Sequence, residues 1–213
     1  MSTIETDGRR ARGAASRERI LAESTDLATT VGLDGVTIGL LAESTGRSKS
    51  SIATLFGTKE ALQLATVDAA ADIFRRQVVD PARALPRGLD RVVALLTALL
   101  AYSRTRVFSG GCFFQACAAD MGSKPGPVRD AIRDHIASWE GYLEAQVAYA
   151  VDSGELTGDA HTLTFTLLAL YELSNARSVL TGSEEPYLAA VAGMTAVLEA
   201  AGAEPTAALG SYA

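Results

Sequence analysis

Between residues 47 and 59 the chain gathers side chains suited to gripping a polyanion rather than to making or breaking bonds: Arg47, Ser48, Lys49, Ser50, Ser51, Thr54 and Lys59. If the segment from Lys49 to Phe56 is helical, Ile52, Leu55 and Phe56 share one side and Lys49, Ser50, Ser51, Ala53 and Thr54 the other. Small and hydroxylated side chains let a helix approach base edges and phosphate oxygens closely. Thr37 and Lys59 stand at expected helix starts, where an exposed N–H beside a hydroxyl or an ammonium group can hold a phosphate oxygen.

Other chemistries find little support. The two histidines, His135 and His161, have no His-Glu or Cys-His spacing that would make a metal site, and surface or capping roles are expected for both. Cys112 and Cys117 are poorly placed to pair on one helix and match no zinc pattern, so both are expected to stay reduced. There is no Glu-x-x-His motif of the di-iron type, no phosphate-binding Gly loop, and no nucleophile with a base and an orienting group. A helical-bundle enzyme is therefore the weakest functional class; no catalytic residue, cofactor or metal is expected.

The elements that must position these side chains are helices throughout. Apolar residues recur at helical spacing, no stretch alternates long enough for a strand, and no fixed-period repeat is present. Ser16 can cap a first helix ending at Gly32, Thr37 a second through Leu40, Leu41 and Ala42, Ser48 a third to Phe56, and Thr58 a fourth to about Val79, before Pro81. Gly46 lets the chain reverse between the second and third, so that Ile38, Leu41 and Ala42 can pack on Ile52, Leu55 and Phe56. Two short helices joined by such a turn form the helix-turn-helix, spanning 37–56, that seats its second helix in a major groove; they also occur in helical proteins that bind no nucleic acid. Longer helices are expected from Arg87 to about Phe108, Cys112 to Asp120, Pro127 to Ser153, Asp159 to Thr181 and Pro186 to Gly202. Residues 1–13 and 203–213 read as loose tails.

Composition agrees with a folded, charge-divided molecule. Hydrophobic residues make up 48% and charged residues 21%, enough to build a core and too apolar for wholesale disorder. The net charge of −6 argues against a general polyanion binder, but residues 1–60 hold eight basic and eight acidic side chains, so the whole acidic excess lies after them. The longest nearly apolar run, Val92 to Tyr102, is too short to span a membrane, and the polar, arginine-bearing start does not read as a secretory signal; a cytoplasmic protein is expected.

The wording of the N-terminal part resembles the tetracycline-repressor (TetR) family. The resemblance rests on Arg19-Ile20-Leu21-Ala22, Gly32-Leu33-Asp34-Gly35-Val36-Thr37, Leu41-Ala42, Gly46, Lys49-Ser50-Ser51-Ile52 and Phe56-Gly57-Thr58-Lys59-Glu60-Ala61-Leu62, and spans about residues 14–73 without a gap. It implies an all-α homodimer whose domain at 14–73 binds double-stranded DNA at a palindromic operator, with Lys49 to Phe56 as recognition helix and Lys59 opening the helix toward a sensor domain. The family usually places Tyr, and then His or Tyr, where this chain has Ala53 and Leu55, so base preference is not transferable from relatives. Arg9, Arg10 and Arg12 could compensate as an arm reaching a minor groove or phosphates; the plainer reading is a disordered leader.

Further on, Gly110-Gly111-Cys112-Phe113-Phe114 and Pro125-Gly126-Pro127-Val128-Arg129-Asp130 are similar to a C-terminal domain found in a subset of these regulators, over about residues 80–200. That implies an effector-binding and dimerisation domain, set here at 80–202, with an internal cavity and no particular ligand. Phe113, Phe114, Cys117, Trp139, Tyr142, Phe165 and Tyr171 are the candidate lining, although aromatic residues also simply fill cores. Ala169, Ala176, Ala189, Gly193 and Ala196 permit close helix approach, either across a two-fold axis or within one subunit. The expected function is a transcriptional regulator, a repressor released by a small molecule; a regulator without an effector, constitutive or governed by a protein partner, is the alternative.

Overall fold

The computed structural model of the chain describes residues 3–204 and residue 209, with side chains from residue 13 onward. Among these residues all regular structure is helical: α1 (Thr3–Val31), α2 (Ile38–Thr45), α3 (Lys49–Phe56), α4 (Lys59–Phe74), α5 (Asp80–Ala82), α6 (Leu89–Arg104), α7 (Phe113–Met121), α8 (Pro127–Asp152), α9 (Ala160–Thr181) and α10 (Glu185–Ala200). α4 runs into α5 without a break through a π-helical segment, Arg75–Val79. No helix among the described residues is long and apolar enough to cross a membrane.

Local chemistry sets most boundaries. Thr37, Ser48, Thr58 and Asp159 each accept the backbone N–H three residues on, satisfying a donor the helix start leaves free, worth about 1 kcal/mol apiece. Gly46 and Gly182 close α2 and α9 in the left-handed conformation that a side chain disfavours.

Three expectations require correction. α1 begins at Thr3, well before Ser16, which is buried inside the helix and caps nothing. The side chains of Arg9, Arg10 and Arg12 lie outside the described residues. Pro81 does not end the helical run, which continues from Lys59 through the π-helical segment to Ala82. Nor is everything after Gly202 loose: Ala203 and Leu209 are buried, and the Ala201 carbonyl accepts the Thr157 N–H at 2.7 Å.

α1 is the shared floor. It packs on α2, α4 and α7, while α4 also packs on α8. A buried hydroxyl pair, Ser24 and Thr66 at 2.6 Å, and the Gln63 side chain donating to the Leu33 carbonyl at 3.1 Å pin α4 to α1 and its loop. The rest is a bundle in which α6, α8 and α9 enclose α4's far end and α10 packs on α9.

The loop before α7 comes so close to α1 that Gly110 has no space for a side chain: a methyl there would strike the Thr29 carbonyl. Gly110→Ala should therefore destabilise the protein by about 1–3 kcal/mol through forced separation of α1 from the loop. A urea midpoint equal to that of the wild type would show that the contact is not made.

Candidate nucleic-acid interface and internal cavity

α2 and α3 are held by an apolar contact that turns one face of α3 outward. Leu41 and Ile52 are fully buried and Phe56 nearly so, with the Arg17 guanidinium 4.7 Å from the Phe56 ring centre. Ser48, Lys49, Ser50 and Thr54 are exposed, and Arg47, Ser51 and Ala53 are half-buried beside them. Ser48 Oγ accepts the Ser51 N–H at 3.2 Å and sits 3.1 Å from Ser50 Oγ, while the Thr54 hydroxyl donates to the Ser50 carbonyl at 2.8 Å. The outer surface of α3 is thus shallow and hydroxyl-rich, with Lys49 as its single formal charge. Thr37 is exposed as the cap of α2, its hydroxyl accepting the Leu40 N–H at 3.1 Å.

Lys59 has a second employment that sequence did not suggest. Its ammonium donates to Asp34 at 2.7 Å, and Asp34 also meets Lys124, which bonds Asp120 at 2.8 Å. Asp120 in turn accepts the Asp34 backbone N–H at 3.0 Å. Nearby, Asp26 of α1 accepts the Ser109 N–H at 2.7 Å and its hydroxyl at 2.9 Å, and Thr29 accepts the Gly110 N–H at 3.0 Å. These contacts form a polar joint between the α1–α2 region and α7. Asp34 is held below its ordinary pKa by the hydrogen bond and charge of Lys59, then by Lys124. For Asp120, burial pushes upward, but the Asp34 N–H and Lys124 outweigh it and the net direction is down.

Deeper in the molecule, α4, its π-helical extension, α7, α8 and α9 surround a cavity of about 430 Å³. Phe74 is the hub of its aromatic wall, set edge-on to Trp139 at 5.1 Å, Tyr102 at 5.4 Å and Phe114 at 6.0 Å. Of the seven candidate lining residues, Phe114, Trp139, Tyr142 and Tyr171 border this space. Phe113 and Cys117 do not: both are fully buried behind it, because α7 turns them toward the core. Phe165 does not border this cavity either: it is 69% exposed on α9, at the edge of a smaller cleft between α8 and α9. His135, expected at the surface or at a cap, instead lines the cavity with its ring 5.8 Å from Phe114, whereas exposed His161 bonds Glu144 at 3.1 Å. Asp72, Arg75, Arg83, Gln115, Glu140 and Glu172 are among the polar lining that composition alone did not single out.

Beneath the cavity lies a buried polar set. Tyr171 shares a hydrogen bond with Ser103 at 2.5 Å, and Asn175 accepts from the Cys112 N–H at 3.3 Å and the Tyr187 hydroxyl at 3.2 Å. Burial holds the Cys112 and Cys117 thiols and the Tyr171 phenol above their ordinary pKa values, so all three stay protonated and none is an activated nucleophile. No group of side chains able to hold a metal ion occurs among the described residues.

On the outside, α9 and α10 present an apolar face. Phe165, Ala169, Leu173, Ala176 and Leu180 recur at three- and four-residue steps along α9, all exposed, with Leu180 at 86%. Leu188, Ala189 and Ala196 are exposed on α10. Gly193 belongs elsewhere: the space it leaves is filled from within the subunit by Leu170, 3.2 Å from where a Cβ would stand.

Residues 88–194, half of the chain, match the family model described as tetracyclin repressor-like, C-terminal domain. The chain belongs to the TetR family. Solved structures of TetR-family regulators share its fold over nearly their whole length. One from Chloroflexus aurantiacus is 24% identical, with 89% of this chain and 95% of that one covered at a TM-score of 0.79. Another from Streptomyces coelicolor is 22% identical, with 89% and 96% covered at 0.73. A third, the regulator AibR in complex with isovaleryl coenzyme A and operator DNA, is 20% identical, with 73% and 84% covered at 0.60. No curated protein matches the chain in sequence.

In this TetR-family chain the polar joint should be acid-sensitive. Because Asp34 and Asp120 have lowered pKa values, their contribution is complete above the ordinary aspartate range and disappears as pH falls through the folded values. Asp120→Asn should lower thermal stability at neutral pH by up to about 1 kcal/mol, and the difference from wild type should close as pH falls below the ordinary aspartate range. A difference that persists there would mean that packing, not charge, holds the joint.

Proposed function

We propose that this chain is a dimeric, DNA-binding transcriptional regulator, a repressor that leaves its operator when a small molecule fills the cavity. The observation that carries the reading is the course of one continuous helix. α4 starts at Lys59, beside the outward-facing α3, and its far end supplies Phe74, Arg75 and Val79 to the cavity wall. Residues 14–73 then serve as the DNA-binding domain and 80–202 as the effector-binding and dimerisation domain. Thr37, Arg47, Ser48, Lys49, Ser50, Ser51, Ala53, Thr54 and Lys59 are the proposed contacts to duplex DNA.

The exposed apolar stripe of α9 with its neighbours on α10 supports a homodimer, because a contiguous surface of this kind is unfavourable in water and an isologous interface would cover it. Two recognition helices would then address the half-sites of a palindrome, whose successive major grooves lie about 34–36 Å apart. An effector acts by binding more tightly to the form whose spacing does not fit. AibR, of the same fold, is known with both an acyl coenzyme A and operator DNA. An open cavity rather than a collapsed core favours this over a regulator without an effector.

Binding should be measured by fluorescence anisotropy on DNA from the region upstream of the chain's own gene. A specific, salt-sensitive complex is expected, and Lys49→Ala should weaken it while making the log–log salt slope shallower by about one. Absence of any preference over random duplex would remove the repressor reading. Leu173→Glu with Leu180→Glu should give a folded monomer by sedimentation, with the specific complex lost. A double variant that stays dimeric would move the interface away from α9.

A further inference from the structure

The charges around the cavity do not cancel. Arg75 spans Asp80 at 2.6 Å and Asp72 at 3.5 Å, and Arg83 reaches Asp80 at 3.4 Å with its guanidinium 5.7 Å from the Tyr142 ring centre. Two arginines are thereby matched by two aspartates, and His135 lies 3.6 Å from Asp68. Glu140 and Glu172 also line the cavity, and neither forms an ion pair among the described residues. A smaller cleft of about 150 Å³ between α8 and α9 shares these same two carboxylates and adds Glu144, whose ion pair among the described residues is with His161. Glu172 is raised above its ordinary pKa, first by desolvation and then by the charge of Glu140.

The aromatic walls ask for the same kind of guest. The faces of Trp, Tyr and Phe rings attract cations, the more so when water is excluded, and Arg83 over Tyr142 already makes that contact. Phe74, Phe114, Trp139 and Tyr171 offer further rings around the open space.

We propose that the cavity takes a lipophilic organic cation, its apolar body among these rings and its positive charge facing Glu140 and Glu172. This rests on reading the cavity as the effector site and names the class of effector. An anionic ligand would have to displace Asp72 and Asp80 from the arginines and approach two uncompensated carboxylates. A neutral one would leave those carboxylates facing each other as they are.

Trp139 is the chain's single tryptophan, so its emission reports on the cavity directly. The full-length protein should be titrated with tetraphenylphosphonium and with tetraphenylborate, probes of nearly one shape and opposite charge. The cation should perturb Trp139 emission and raise the melting temperature, with affinity at least roughly tenfold above that of the borate. Glu140→Gln with Glu172→Gln, changes at exposed positions, should reduce cation affinity by about tenfold or more while leaving the borate unchanged or tighter. Wild-type protein that binds the borate more tightly than the phosphonium, or cation affinity indifferent to both substitutions, would overturn the cation assignment while leaving an effector cavity in place. No response of Trp139 to either probe would overturn the assignment and count against the cavity as an effector site. Operator binding without ligand, measured on the same preparation, stands or falls separately.

Discussion

One helix has to satisfy two cores at once. From Leu62 to Thr66 the inner face of α4 is buried against α1, through Leu62, Gln63 and the Ser24–Thr66 hydroxyl pair. From Val67 to Phe74 it is buried toward the bundle. An uninterrupted α-helix would carry one stripe round at a fixed pitch, and the π-helical segment from Arg75 to Val79 alters that pitch where the cavity begins. It keeps Val78, Val79 and Ala82 buried while Arg75 and Val79 still border the open space. Close-packed cores do not deform continuously. On the proposed reading, a guest that displaced Phe74 or Val79 would act on the same helical run that begins beside α3.

The polar joint is the weaker of the two connections, and its weakness fits a switch. Lys59, Asp34 and Lys124 are about half exposed, so each ion pair contributes little after solvent screening. What the joint supplies is position: the Asp34 N–H on Asp120 and the Ser109 and Gly110 N–H groups on α1 fix register without much energy. α7 carries Asp120 near one end and Phe114, Gln115 and Ala118 along the cavity side. Guest and head thus meet through two routes, a stiff apolar one along α4 and a breakable polar one through α7. An equilibrium that an effector can tip needs states separated by only a few kcal/mol, and a second connection of modest strength leaves that gap small.

Much of the fold was legible because it is local. Thr37, Gly46, Ser48, Thr58, Asp159 and Gly182 act within one helical turn, and spacing reveals such partners directly. The apolar contact of α2 with α3 was legible for the same reason. Ser16 misled because a serine inside a long helix has the same local appearance as a cap, and only burial against the rest of the chain distinguishes them. The cavity was half legible: aromatic residues announced it, but Phe113 and Phe114 are adjacent, with their rings in edge contact at 5.4 Å, and spacing does not say which of them borders the opening. His135, Arg75, Glu140 and Glu172 were missed because their roles depend on four elements converging. Smallness was an incomplete signal at the surface of α9, where the large residues Phe165, Leu173 and Leu180 share the exposed stripe with Ala169 and Ala176, and Leu170 of the same subunit packs on Gly193.

The recognition surface itself constrains how duplex DNA could be read. Bidentate discrimination of a base pair calls for Arg, Lys, Asn or Gln reaching into the groove, and on the outer side of α3 only Lys49 has that length. Ser50 and Thr54 can each serve one edge or one phosphate at short range, and the donation of Thr54 to the Ser50 carbonyl leaves its oxygen as an acceptor. Ala53 offers a methyl contact of the sort that fits the methyl of thymine. A face this short gains contacts only by sitting deep, so the positioning groups around it, Thr37 at the head of α2 and Lys59 at the head of α4, become the larger part of the interface. Lys59 reaches a phosphate only by sharing or leaving Asp34, which is also bound to Lys124 at the joint. On the proposed contacts, a phosphate and Asp34 would compete for one ammonium, and binding at α3 would be coupled to α7 even before an effector enters.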